Sequence, residues 1–196
     1  MTEKIVQRIV DLFVGYGFIE EEQKETYDYS LLCFVESCII IGSIILISLM
    51  VGRFRPTVFF CVYFFSLRSH TGGVHFNSFI KCFIASLLLF ILVVFCCDVV
   101  VRKSRLILWI MTISSALIVW KIGAVNNINI NMSVKEIAAT KRAARLVLGM
   151  EMCLLAFLEC TRVEFSIIAF SCCGIILCAI LLIIAKLIGQ EVIMCD

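Results

Sequence analysis

Apolar and polar residues fall along this chain in blocks with a helical period, not in the two-residue alternation of half-buried strands. Ile5, Val6, Ile9, Leu12 and Phe13 recur at helical spacing against Glu3, Lys4, Gln7, Arg8 and Asp11. That pattern predicts a short amphipathic helix suited to lying in a membrane interface, ended by Gly15 and Gly17. The acidic stretch Glu20, Glu21, Glu22, Glu25 and Asp28 then reads as the solvated start of the next helix. A bilayer core of about 30 Å takes about 20 apolar residues in a helix. Residues 31–50 meet that length, interrupted by Glu36 alone, as do 79–97, 106–125 with Lys121 near its end, and 165–188. Residues 56–67 are apolar but short, so they form either a span extended at both ends or a re-entrant piece. Residues 146–160 contain Glu151 and Glu159, which predicts a helix facing protein or a cavity and not lipid.

Composition makes the membrane reading compulsory. The 196 residues are 62 % hydrophobic and 16 % charged, with one proline, and the mean hydropathy is +1.09. Soluble domains are about 45–50 % apolar and about 25 % charged, so a single globular core could not hide this much apolar side chain. The charged residues among 1–13 do not read as a secretory signal. A net charge of +2 is too slight to argue for nucleic acid, and soluble nucleic-acid motifs are missing. Most of the twelve cysteines fall inside apolar runs, where Cys serves as a small hydrophobe, and no CxxC pair occurs. The fold class expected is an all-α polytopic membrane protein, with about six transmembrane or re-entrant helices and an N-terminal amphipathic helix. It forms one integral-membrane domain over 1–196, with 1–29 amphipathic and acidic and 30–188 the helical bundle.

Charge fixes the expected orientation. With six crossings and the amino terminus in the cytoplasm, the inside segments hold Lys4, Arg8, Lys24, Arg68, Lys81, Lys121, Lys135, Lys141, Arg142, Arg145 and Lys186, eleven bases. Six, Arg53, Arg55, Arg102, Lys103, Arg105 and Arg162, fall outside. Basic loops prefer the cytoplasm, so both termini are expected there.

The only two histidines, His70 and His75, lie in one polar, glycine-paired stretch between two hydrophobic runs, from Arg68 to Cys82. Such a stretch is costly in a bilayer unless protein shields it or it lines a wet cavity. His75 and Cys82 are seven residues apart. On one continuous helix that is about 10 Å along the axis, too far for a thiol to hand a proton to an imidazole. The chain must bend between them. A helix capped by Asn77 or Ser78 would put Cys82 in its first turn or two and leave His75 on the preceding loop. The helix N-terminus, Lys81 and a close imidazolium would each favour a thiolate at Cys82. Gly72 and Gly73 would supply a tight turn and exposed N–H groups for an oxyanion. On spacing alone the pair is a weak signal: it fits a nucleophile with its base, and more readily a loop histidine beside a core cysteine. A metal reading would use His70, His75 and Cys82, but spacings of five and seven match no familiar zinc pattern and no fourth ligand is evident.

Arg68, Gly72-Gly73-Val74-His75 and Cys82, in a polytopic chain of this length with an amphipathic and then acidic start, resemble the accessory gene regulator B (AgrB) family of membrane endopeptidases. The likeness covers nearly the whole chain. It implies a cysteine endopeptidase with Cys82 as nucleophile and His75 as general base, the site shaped by Arg68, Gly72 and Gly73. It also implies a short AgrD-like propeptide as substrate, with an amphipathic leader, a central segment and an acidic tail. The tail is released, a thioester forms on Cys82, and a cyclic thiolactone or lactone for quorum sensing follows. No cofactor, metal or nucleotide is implied, and the location is the bacterial cell membrane. The chain departs from the family in lacking prolines over 124–131 and in having bulky Phe76 where a small residue is usual.

Glu36 is the first candidate for a third member of the site, because it alone interrupts its span. The basic segment 134–148, with Lys135, Lys141, Arg142 and Arg145, is either an interfacial helix held by anionic lipid at about 1 kcal/mol per base or the binding place of the acidic tail. Candidate partners are thus the propeptide, membrane lipid and a second copy of the chain. The competing class is a small transporter or channel, which would account for Glu36, Lys121, Glu151 and Glu159 but has no need of a glycine pair, a histidine and a cysteine on one boundary loop.

Overall fold

The computed structural model describes residues 2–72, 79–125 and 134–188. Among these every regular element is helical: α1 (Thr2–Gly15), a 3-10 turn (Glu21–Gln23), α2 (Lys24–Met50), α3 (Phe54–Thr71), α4 (Phe79–Lys103), α5 (Arg105–Ile122), α6 (Val134–Cys160) and α7 (Phe165–Leu187). The chain is an all-α polytopic membrane protein. Four stretches are long and apolar enough to cross a bilayer: Glu21–Met50, Phe79–Cys97, Arg105–Ile122 and Phe165–Leu187. The chain divides into two compact units, Met1–Ser43 and Ile44–Asp196.

In the first unit α1 has the amphipathic character its sequence predicts. Val6 and Val10, four residues apart and so on one face, are buried, whereas Ile5, Leu12 and Phe13 are exposed. The helix ends in a left-handed glycine cap. Gly17 takes φ +73°, the Phe18 N–H reaches the Phe13 carbonyl at 2.9 Å and the Gly17 N–H reaches that of Val14 at 2.9 Å. The Lys24 ammonium lies 2.6 Å from the Asp11 carboxylate, tying the start of α2 to α1.

In the second unit α7 is the hub. It is apolar all round, as a helix surrounded by protein should be. Its apolar window is 61 % buried against 11 % for that of α4, so α7 forms the core and α4 turns mostly outward. On α4 the exposed side chains Ile80, Ile84, Leu88, Ile91, Phe95 and Val99 recur at three- and four-residue steps, the stripe expected of a lipid-facing surface. α3 packs chiefly on α7. The two approach closely at Gly174, where an added Cβ would lie 3.1 Å from the Phe64 nitrogen and 3.3 Å from the Phe60 carbonyl oxygen.

Two sets of polar contacts tie the ends of this bundle. At one, the Arg105 guanidinium pairs with Glu159 at 2.9 Å and sits 4.6 Å from the centre of the Phe165 ring, joining the starts of α5 and α7 to the end of α6. At the other, Arg145 and Lys141 of α6 meet the end of α5 at Trp120 and Gly123, and Val125 just beyond α5 bonds Thr71 at the end of α3. Helices α3, α5 and α7 therefore run one way and α6 the other.

Several boundaries differ from those read in the sequence. Residues 56–67 lie within an unbroken 18-residue helix, about 27 Å long, which extends the apolar run at both ends, as one of its two readings expects. Helix α5 stops at Ile122 and not at 125, because Gly123 turns the chain with φ +74°. The basic segment 134–148 and the span 146–160 are one continuous helix of 27 residues. At about 40 Å that helix outreaches a bilayer core by two turns, which leaves its basic start room outside the hydrocarbon.

Candidate active site

Cys82 is half-buried in the first turn of α4, three residues after Phe79. The main-chain N–H groups of a first helical turn have no acceptor within the helix, and together they make an electropositive setting for an anion. None of the described cysteines is in a disulfide. His75 and Gly73 lie outside the described residues, as do Asn77 and Ser78 and, with them, the separation of His75 from Cys82.

The end of α3 is held from three sides. The Arg68 guanidinium reaches forward past the end of its own helix and donates to the Gly72 carbonyl, satisfying a terminal acceptor with a cation at the negative end of the helix dipole. Gly72 takes φ +67° and ψ −148°, a conformation open essentially to glycine alone. Buried Thr71 brings its hydroxyl within 3.3 Å of the Cys178 sulfur on α7. The Thr71 carbonyl accepts a 3.0 Å hydrogen bond from the Val125 N–H beyond the end of α5. Arg68 and Gly72, both singled out by the sequence, are thus brought together. Nothing local in the sequence marked Val125 as their neighbour, since the pairing joins residues more than fifty positions apart.

The three basic candidates on α6 face differently. Arg145 donates through Nε to the Trp120 carbonyl at 3.1 Å and lies 5.8 Å from the Trp120 ring centre. The stem of Lys141 covers Gly123 so closely that a Cβ there would fall 2.9 Å from Lys141 Cγ. Arg142 is exposed. Two bases therefore brace the end of α5 and one is turned to the surroundings.

Among the candidate carboxylates, Glu36 lies half-buried on α2 in the first unit. Glu151 faces protein, only 7 % exposed, and accepts a 2.5 Å hydrogen bond from Ser66 Oγ on α3. Glu159 is taken up by Arg105. His70, half-buried on α3, sets Nδ1 2.9 Å from the Ser66 carbonyl oxygen. A cleft of about 290 Å³ in the first unit is lined by Val6, Glu25 and Asp28, and one of about 340 Å³ lies at Arg53 and Glu164; neither includes Cys82.

The accessory gene regulator B family model matches residues 2–188. The chain belongs to that family. No curated protein and no solved structure matches it. Membership in the AgrB family gives this multi-pass membrane protein a role in accessory gene regulation and, in general terms, a propeptide substrate of the AgrD type. The match covers both compact units and extends from α1 to the end of α7.

Proposed function

We propose that the protein is a membrane-embedded cysteine endopeptidase that removes the acidic tail of an AgrD-like propeptide. The observation that carries this assignment is the place of Cys82 in the first turn of α4, just past the segment bearing His75, in a chain of the AgrB family. His75 takes the thiol proton, and the Cys82 sulfur attacks the carbonyl carbon at the end of the central segment of the peptide. The tetrahedral oxyanion collapses, the C–N bond breaks, and the imidazolium returns its proton to the departing amine of the tail. A thioester on Cys82 remains. Attack by a Cys or Ser of the peptide gives a cyclic thiolactone or lactone, and attack by water gives a linear acid. A boundary site that limits water favours the ring.

Arg68, Gly72 and Gly73 shape this site, Glu36 is the candidate orienting carboxylate, and Lys141, Arg142 and Arg145 are the candidate contacts of the acidic tail. Both termini face the cytoplasm, the side preferred by the eleven bases. Lipid and a second copy of the chain complete the set of partners. A transporter would need its intramembrane carboxylates for cargo, whereas Glu151 and Glu159 each commit one oxygen to a neighbouring helix, through Ser66 and Arg105.

The test is co-expression with an acidic-tailed precursor. Cys82→Ala and His75→Ala should each abolish loss of the tail while the protein still inserts in the membrane. Cys82→Ser should fail too, because a hydroxyl is a far weaker nucleophile at neutral pH. Undiminished cleavage by Cys82→Ala overturns the enzyme assignment.

A further inference from the structure

The segment bearing His75 leaves α3 at Gly72, three residues before the histidine. Its point of departure is not set by α3 alone. The Val125 N–H bonds the Thr71 carbonyl at 3.0 Å, and the Val125 carbonyl oxygen lies where a Cβ on Gly72 would come within 2.9 Å. Both polar groups of one α5-exit residue therefore bear on the last two residues of the α3 exit. Val125 is itself buried, and Gly123, two residues earlier, is turned by φ +74° and covered by the Lys141 stem. Arg145, one turn further along α6 on the same face as Lys141, holds the last turn of α5 through the Trp120 carbonyl.

We infer that this backbone junction, Thr71-Gly72 against Gly123 to Val125 with Lys141 as its brace, positions His75 for the reaction at Cys82. The inference rests on the peptidase assignment and adds to it residues that never touch substrate. Three residues of chain span at most about 11 Å, so the anchor at Gly72 limits where the imidazole can go. A shift of about 1 Å in a catalytic group can cost about a hundredfold in rate. The junction does this with main-chain groups and glycines, so Val125, Gly72 and Gly123 are positioning residues, sensitive to substitutions that alter backbone and indifferent to most that alter side chain. Lys141 acts in it through its methylene stem and not through its charge.

Val125→Pro removes the one N–H the junction requires, whereas Val125→Ala keeps it. The readouts are steady-state cleavage of a purified acidic-tailed peptide in neutral detergent and the pH profile of Cys82 alkylation by iodoacetamide, followed by mass spectrometry of the Cys82 peptide. Val125→Pro should lower kcat tenfold or more with KM changed less than twofold, and should move the alkylation profile to that of His75→Ala. Val125→Ala should remain within twofold of the parent in kcat. If Val125→Pro does not accumulate in the membrane, Gly72→Ala is measured in its place and should behave likewise. A parental alkylation profile in these variants overturns the inference, whether or not cleavage is lost, because a merely structural defect leaves the histidine–cysteine pairing alone. If His75→Ala itself cleaves and alkylates like the parent, the peptidase assignment falls and takes the inference with it. If His75→Ala is dead and the junction variants are not, only the inference falls.

Discussion

Backbone sign separates positions that demand glycine from one that merely tolerates its absence. Gly72 and Gly123 have positive φ and a neighbour within 2.9 Å of a would-be Cβ, so both sterics and dihedrals select glycine there. Arg162 also has positive φ, +55°, at the end of α6, where the Arg162 N–H bonds Glu159 and the Val163 N–H bonds Leu158 in the pattern glycine usually completes. A left-handed L-residue costs about 1–2 kcal/mol, and glycine returns about 0.5–1 kcal/mol of that through the entropy of the unfolded chain. The Arg162 side chain is exposed. Arg162→Gly should therefore stabilise the protein by roughly 0.5–1 kcal/mol, read as a higher unfolding midpoint in neutral detergent. At this scale the sequence displays residue type and conceals the partner. Gly72, Arg68 and Cys82 stood out because polar and glycine residues are costly between apolar runs. Val125 did not, because a backbone N–H is the same in every residue but proline and its partner was set by tertiary packing.

Helices were legible where their surroundings were uniform. α4 and α7 carry long apolar runs, and a 20-residue ruler finds their apolar stretches. α6 was divided because its first half is basic and its second apolar, and hydropathy registers the change of medium while the backbone continues unbroken. The carboxylates on that helix were readable as protein-facing, since lipid offers them no hydrogen bond, and Ser66 and Arg105 are the groups that receive them. Which helix would become the hub is a matter of shape. Without a hydrophobic force between helices in lipid, close packing is what holds α3 to α7, and Gly174 permits it. Gly174→Ala would push a methyl to 3.1 Å from a backbone nitrogen and 3.3 Å from a backbone oxygen, neither of which can swing aside. The variant should lose about 1–3 kcal/mol, the ordinary cost of overpacking, as a lower unfolding midpoint in the same detergent assay.

For the second unit as a whole, α5 and α6 share their two ends with opposite tasks. Where Arg105, Glu159 and Phe165 meet, a cation pairs with one oxygen of a carboxylate and lies against a ring. Where Trp120, Gly123 and Val125 end α5, two bases of α6 are spent on structure while Lys135 and Arg142 are exposed. An acidic peptide tail would meet the exposed pair first. Reversing Lys141 or Arg145 would mix two effects, loss of attraction and loss of the brace on α5, and would change kcat for any substrate. Lys135→Glu with Arg142→Glu isolates the attraction. Exposed charge pairs give about 0.2–1 kcal/mol each, and 1.4 kcal/mol is tenfold in an equilibrium, so reversal of both should raise KM for an acidic-tailed peptide several-fold. KM for a neutral-tailed peptide should not change. The difference should shrink as salt rises, because the screening length falls from about 30 Å at 0.01 M to about 8 Å at physiological strength. Measurement in neutral detergent free of anionic lipid removes the competing headgroups, so an equal response of the two peptides would assign this end of α6 to lipid and orientation alone.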